Sequence, residues 1–168
     1  KALGHEPIAL VRREATGDHE ISWKPGVERL DPEIMESIDA VVNLGGATTG
    51  RIPWTKNYMQ TLISSRLDTT RTLVEAINAS KNQPKVLVSG SASGIYGDRG
   101  DELLDETAGK GEGFLSDLAS AWEAEAQKAN TRVVLARTTL VMSKKLGALG
   151  RLLPLIKAGI GGPLGSGN

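Results

Sequence analysis

Short apolar runs alternate with longer amphipathic segments along the chain. The apolar runs, which are rich in β-branched residues and predict strands, are Ile8–Val11, Val41–Val42, Val86–Ser89 and Val133–Arg137. Lys56–Ser80 predicts a long helix, because apolar and small residues recur every three or four positions. Its expected buried stripe is Ile63, Leu67, Thr70, Val74 and Ile77. The alternation of strands and helices predicts an α/β fold with a parallel sheet and helices on both faces.

Weaker patterns fill the remaining segments. Ile21–Trp23 predicts a short edge strand, and Asp31 before Pro32 resembles the cap of a brief helix that ends near Ser37. A further helix, ending near Ala129, is expected to share one face between Leu115, Leu118, Trp122, Glu125 and Ala129. Gly147–Lys157 predicts an apolar helix despite Pro154.

Composition narrows the function classes. The 168 residues suit one domain, and 20 basic residues balance 20 acidic ones. That balance gives no basic field for nucleic acid, and no apolar stretch is long enough to span a membrane. There are no cysteines, which excludes disulfides and thiolate metal sites and agrees with a reducing compartment. We therefore expect a cytoplasmic protein that binds neither nucleic acid, membrane nor metal.

The run around Val41 and Val42 organises the chain. Its valines suit a strand buried on both faces, and the following Gly45 and Gly46 would let backbone approach a ligand closely. Ligands of open α/β sheets bind just outside the carboxyl ends of strands, so 43–47 is a candidate cofactor wall. An ordinary turn between strand and loop remains the alternative.

Arginines provide further candidate contacts. Arg12 and Arg13 follow the predicted strand Ile8–Val11. In a dinucleotide fold, an arginine after the second strand accommodates the extra phosphate of NADP. Two solvated surface arginines are the alternative, of about equal weight. Arg66 lies beside the apolar stripe of the long helix. It can reach over the sheet towards a phosphate or extend into water.

The segment after Val86–Ser89 is a second strand end that could line a site. Its glycines, Gly90, Gly94 and Gly97, have the wrong spacing for a phosphate-binding fingerprint, and an acidic loop follows in place of a helix. Trp54, in the loop after the central strand, could cover a ligand or simply anchor the loop.

Several motifs together resemble the atypical extended short-chain dehydrogenase/reductases, often labelled nucleoside-diphosphate-sugar epimerase-like proteins. They are Val41–Ala47, Ser65–Thr70, Ser91–Gly100, Ala121–Ala124 and Gly161–Gly167. The match covers nearly the whole chain and implies a Rossmann-like, doubly wound parallel sheet. It also implies that NADP(H) lies over Arg12 at the 2′-phosphate, Leu44 and Gly45 at the adenosine ribose, Arg66, and Val141 at the nicotinamide.

The family begins with a strand and a Gly-x-x-Gly-x-x-Gly turn that holds the pyrophosphate at a helix N-terminus. From the resemblance we expect 1–168 to be a partial NAD(P)-binding Rossmann domain, incomplete at both ends. We expect 147–168 to lead into the substrate-side region.

The usual acid/base pair of the wider superfamily, Tyr-x-x-x-Lys, is absent, because Leu62 follows Tyr58 by four residues and Gly100 follows Tyr96. Ser91 and Tyr96 are the remaining candidate catalytic residues. Asp117 and Glu123 are interpreted as a solvated helix face.

Two hypotheses follow from this reading. The protein is an NADP-dependent oxidoreductase or epimerase-like enzyme with non-standard catalytic groups, or it is a cofactor-binding sensor or scaffold without turnover. The expected partner is a small-molecule substrate of unknown identity, with a homodimer left open.

Overall fold

A computed structural model describes residues 4–143, 147–160 and 162. The strands are β1 (Ala9–Val11), β2 (Glu20–Ser22), β3 (Ala40–Asn43), β4 (Val86–Ala92) and β5 (Arg132–Thr138). The helices are α1 (Glu33–Glu36), α2 (Lys56–Ala79), α3 (Phe114–Ala126) and α4 (Gly147–Lys157), and a 3₁₀ turn spans Ser93–Tyr96. None of the described helices is both long and apolar enough to cross a membrane.

The described strands form two parallel sheets. β1 pairs with β2, and β4 lies between β3 and β5 in a separate three-stranded sheet. In the larger sheet Asn43 is in register with Ser89, and Ser89 with Leu135. Strands joined through helices and paired in parallel confirm the α/β class.

The long helix α2 begins after Thr55, whose side chain accepts a hydrogen bond from the backbone N–H of Tyr58. Its buried face is broader than the predicted stripe, because α2 packs against both the sheet and α3. The buried residues are Leu62, Thr69, Thr70, Thr72, Leu73, Val74, Ala76 and Ile77. Ile63 and Leu67, at the start of the stripe, are only half-buried.

β3 corrects the expectation of a strand buried on both faces. Val41 packs into the core with Leu87, whereas Val42 is 62% exposed. Successive side chains of a strand point to opposite faces, and α2 and α3 pack against the face that carries Val41. The face that carries Val42 meets no such cover among the described residues.

Candidate cofactor and substrate site

The carboxyl ends of β3, β4 and β5 lie at one edge of the sheet, because the three strands are parallel and in register. Asn43 fixes the turn that leaves β3. Its buried side chain donates to Thr70 Oγ1 at 2.9 Å and accepts from the backbone N–H of Gly45 at 3.2 Å. The turn is therefore held by a buried polar contact to α2.

Gly45 and Gly46 pack closely against side chains of α2. A Cβ on Gly45 would lie 3.0 Å from Thr69 Cγ2, and one on Gly46 would lie 3.0 Å from Arg66 Cζ. Glycine at both positions thus has a packing reason within the chain itself. Leu44, between Asn43 and Gly45, is 71% exposed.

Arg66 binds the turn after β3. Its guanidinium donates to the carbonyl oxygens of Leu62 at 3.0 Å and Ala47 at 3.1 Å, and lies 5.3 Å from the Trp122 ring centroid. Burial lowers the pKa of Arg66 below its usual value, partly offset by the charge interaction with Tyr58. The side chain is held by the protein and does not extend into water.

Arg12 and Arg13 have different surroundings. Arg13 donates to both carboxylate oxygens of Glu20, at 2.5 and 2.7 Å. Arg12 is exposed at the end of β1, and no described residue forms a hydrogen bond or ion pair with it. The two arginines, ambiguous in sequence, are thus distinguished by their contacts.

Arg12 borders a groove of about 310 Å³ between the segment after β2 and α2. The groove is lined by Arg12, Trp23, Lys24, Pro25, Val27, Thr61, Ser64, Ser65, Asp68 and Thr69. Ser65 Oγ accepts a hydrogen bond from the backbone N–H of Ala47 at 2.9 Å. The methyl group of Thr69 packs against Gly45. The same segment of α2 therefore adjoins both Arg12 and the turn after β3.

A buried polar network closes the ends of β4 and β5. Ser91 is 4% exposed and donates to Glu123 Oε1 at 2.5 Å. Arg137 donates to the two oxygens of Glu123, from Nε at 2.8 Å and from Nη2 at 2.9 Å. Burial by itself would raise the pKa of Glu123, but hydrogen bonds from Arg137 and Ser91 bring it below its usual value.

The interpretation of Glu123 as part of a solvated face was wrong. Glu123 is 6% exposed, because α3 turns it towards the sheet, where Arg137 of β5 supplies the opposite charge. Asp117, six residues earlier on α3, is exposed as predicted.

Tyr96 joins this network through its hydroxyl. The oxygen accepts a hydrogen bond from Arg137 Nη1 at 2.9 Å, and the same nitrogen donates to the carbonyl oxygen of Glu106 at 3.0 Å. The Arg137 guanidinium carbon also lies 5.2 Å from the Tyr96 ring centroid. Tyr96 is half-buried, whereas Ser91 is enclosed.

The predicted nicotinamide contact, Val141, follows β5 at the edge where the parallel strands end. It is 64% exposed and lies between two further exposed apolar residues, Leu140 and Met142. Helix α4 has the predicted bounds. Of the glycine-rich segment 159–168, residues 161 and 163–168 lie outside the described residues.

Trp54 anchors its loop. Its Nε1 donates to the carbonyl oxygen of Thr49 at 3.1 Å, and its ring packs edge-on against Phe114 of α3 at 5.9 Å between centroids. The alternative of an anchoring aromatic is therefore confirmed.

Comparison with known proteins decides the family. Residues 4–158 match the NAD dependent epimerase/dehydratase family. The chain belongs to that family. An epimerase family protein of Mycobacterium bovis is 37% identical over 170 residues, which cover 99% of this chain and 56% of the relative.

Two solved structures share the fold. The crystal structure of human epimerase family protein SDR39U1 with NADPH is 31% identical, with a TM-score of 0.84. It matches 99% of this chain, which covers 56% of the human chain. A nucleoside-diphosphate sugar epimerase from Corynebacterium glutamicum is 32% identical, with a TM-score of 0.80 over 98% of this chain and 34% of its own. The Rossmann-like fold expected from the motifs is confirmed, and the chain spans about half the length of the relatives it matches.

The sequence interpretation missed Arg137 and Glu123 as site residues. One signal was available, because Arg137 ends the otherwise apolar run Val133–Ala136. A charge at the end of a half-buried strand needs a partner, and that requirement pointed to an acidic residue on a neighbouring element.

Proposed function

We propose that the protein binds NADP(H) across the carboxyl ends of its parallel strands and serves as an NADP-dependent oxidoreductase or epimerase-like enzyme. The observation that carries the proposal is Arg12, a guanidinium at the end of β1 without a partner among the described residues. An arginine at this place in a dinucleotide fold can accommodate the 2′-phosphate that distinguishes NADP from NAD. The human relative solved with NADPH supports the same choice.

Arg12 is the cation of this groove that has no partner among the described residues. Lys24 is paired with Glu28, and the Asp68 carboxylate, which also lines the groove, is paired with Arg71. Ser64 and Ser65 of α2 line the groove as well. Arg13 is already paired with Glu20, so Arg12 is the arginine that can accept a phosphate without first losing an ion pair.

The rest of the proposed cofactor path follows the sheet edge. Leu44 and Gly45 would contact the adenosine ribose and Val141 the nicotinamide, since the ends of β3 and β5 share that edge. Arg66 would contribute by holding the turn at Gly46 and Ala47, through the hydrogen bond to the Ala47 carbonyl.

Titration of the full-length protein with NADPH and NADH tests the cofactor choice. We expect tighter binding of NADPH and, in Arg12→Ala, loss of most of the difference. A charge-assisted phosphate contact contributes roughly 1.5–3 kcal/mol, about 10- to 150-fold in affinity. Arg13→Gln is the matched control and should keep the preference. Equal affinities of the wild type for the two cofactors would contradict the proposal.

A second candidate function is a cofactor-binding sensor or scaffold without turnover. It is favoured by the absence of Tyr-x-x-x-Lys and by the Ser91 hydroxyl, which is committed to Glu123. NADPH absorbance at saturating protein, screened against sugar nucleotides and small carbonyl compounds, separates the two functions. Tight binding without consumption would leave only the sensor or scaffold.

A further inference from the structure

We propose that Tyr96 is the catalytic proton donor of this site and that Arg137 is the residue that positions it. The assignment rests on the proposed function, since it needs a bound reduced nicotinamide. It replaces the missing Tyr-x-x-x-Lys pair by a tyrosine after β4 and an arginine on β5, residues that lie 41 positions apart in the chain.

The direction of one hydrogen bond carries the assignment. Arg137 donates to the Tyr96 oxygen at 2.9 Å, and a guanidinium has donors but no acceptor. The hydroxyl hydrogen of Tyr96 must therefore point away from Arg137. None of the described residues accepts a hydrogen bond from this hydroxyl, so Tyr96 retains one unused donor after the end of β4.

The neighbouring candidate, Ser91, lacks this property. Its hydroxyl donates to the Glu123 carboxylate at 2.5 Å and is 4% exposed, so its proton is already bound within the protein. Ser91 therefore helps to orient Glu123, while Tyr96 is half-buried and can meet a substrate.

Glu123 determines which nitrogen of the Arg137 guanidinium is left to bind Tyr96. It takes two guanidinium N–H groups and balances the charge, leaving Nη1 for Tyr96 and for the Glu106 carbonyl. Arg137 thus acts on Tyr96 as an oriented hydrogen-bond donor held in place by a planar ion pair.

The reaction would be the reduction of a carbonyl compound or its reverse. The reduced nicotinamide supplies a hydride when bound. The carbonyl carbon accepts that hydride, its oxygen takes the electron pair of the broken π bond, and the Tyr96 proton transfers to this oxygen. The phenolate left on Tyr96 then regains a proton from water.

Turnover of the full-length protein with NADPH tests the assignment, using 4-nitrobenzaldehyde and 9,10-phenanthrenequinone as probe carbonyls. We expect Tyr96→Phe to lower kcat by about 100-fold or more, the usual contribution of a general acid, with the Kd for NADPH within about twofold of wild type. The solvent deuterium isotope effect on kcat should be lost in Tyr96→Phe, because the hydroxyl that transfers the proton is absent. Tyr58→Phe is the matched control and should leave kcat and its solvent isotope effect unchanged.

Arg137→Lys tests the positioning role. Lysine keeps the charge beside Glu123 but cannot donate to Glu123 and Tyr96 in the same planar geometry. We expect kcat to fall with little change in KM. In protein labelled with ¹³Cζ-tyrosine, the Tyr96 signal, which is assigned by its loss in Tyr96→Phe, should shift in Arg137→Lys.

Wild-type turnover in Tyr96→Phe would overturn the assignment, as would an unshifted Tyr96 signal with unchanged kcat in Arg137→Lys. NADPH binding without reduction of either probe would also overturn it while leaving the cofactor proposal intact. A wild type that fails to bind NADPH would instead refute the proposed function, on which this assignment depends.

Discussion

Arg137 and Glu123 form a bidentate ion pair between β5 and α3, with N–O distances of 2.8 and 2.9 Å. The two side chains are 21% and 8% exposed, and Glu123 also accepts a hydrogen bond from Ser91. This pair fixes the ends of β4 and β5 relative to α3. It also brings an arginine to the hydroxyl of Tyr96.

Glu123→Gln should destabilise the protein. The substitution leaves Arg137 without its counter-charge in a largely enclosed place, and removing one partner of a buried pair costs roughly 3–5 kcal/mol. Because Arg137 retains 21% exposure, we expect a smaller loss in the free energy of unfolding, about 2–3 kcal/mol. Urea denaturation followed by circular dichroism measures it.

Asp117→Asn on the same helix is the matched control for Glu123→Gln. Asp117 pairs with Lys110, but both side chains are well exposed. Exposed pairs contribute at most about 1 kcal/mol, so this variant should denature near the wild-type midpoint. Equal losses of unfolding free energy in the two variants would show that the enclosed Glu123–Arg137 ion pair stabilises the protein no more than the exposed Asp117–Lys110 pair.

The difference between wild type and Glu123→Gln should depend on pH. Hydrogen bonds from Arg137 and Ser91 lower the pKa of Glu123 in the folded protein below that of the unfolded chain, about 4.3. The stabilisation is therefore complete above that pH and is lost as pH falls through the folded-state pKa. Urea midpoints of both proteins at pH 7, 4 and 3 should converge towards acid. A difference between the two urea midpoints that stays constant with pH would contradict a lowered pKa of Glu123 in the folded protein.

Thr70→Val should be more destabilising than its similar shape suggests. Thr70 Oγ1 accepts from Asn43 Nδ2 and from Trp122 Nε1, each at 2.9 Å, and is completely buried. Valine leaves both donors unpaired, at about 1–3 kcal/mol each, so we expect a loss of about 2–6 kcal/mol in unfolding free energy. Thr61→Val, whose hydroxyl donates only to the Asn57 carbonyl, should stay near wild type.

Gly111→Ala should disrupt the loop that meets Tyr96. A Cβ at this position would overlap the Tyr96 carbonyl group, and backbone on both sides must shift. We expect a loss of at least about 2 kcal/mol in unfolding free energy, in the range of overpacked sites. Gly109→Ala, where nothing lies within 4 Å of the added carbon, is the control. Equal melting temperatures for the two variants would contradict the close contact between Gly111 and the Tyr96 carbonyl group.

Elements with a clear local period were predicted well. Helix α4 has the expected bounds despite Pro154, and α2 ends one residue before the predicted Ser80. β4 continues to Ala92, three residues beyond its predicted end at Ser89. Its extra residues, Gly90, Ser91 and Ala92, are all small, so no run of large apolar residues marked them, and pairing with β5 made them a strand.

Side-chain surroundings were harder to predict. Val42 was expected to be buried and is 62% exposed, because the described helices pack against the opposite face of β3. Helix periodicity placed Trp122 on the buried face of α3 but gave no reason to bury the adjacent Glu123. That reason is Arg137, on a strand that follows the helix.

The sequence by itself determined the α/β class, most helices and strands, the family resemblance, and the absence of a Tyr-x-x-x-Lys pair. These depend on residue type and short-range spacing, which the chain carries locally. Tertiary structure decided that Arg13 is paired while Arg12 has no partner among the described residues, and it brought Ser91, Tyr96, Glu123 and Arg137 together. Such choices depend on contacts between distant segments, where burial makes an unpaired charge costly and so selects its partner.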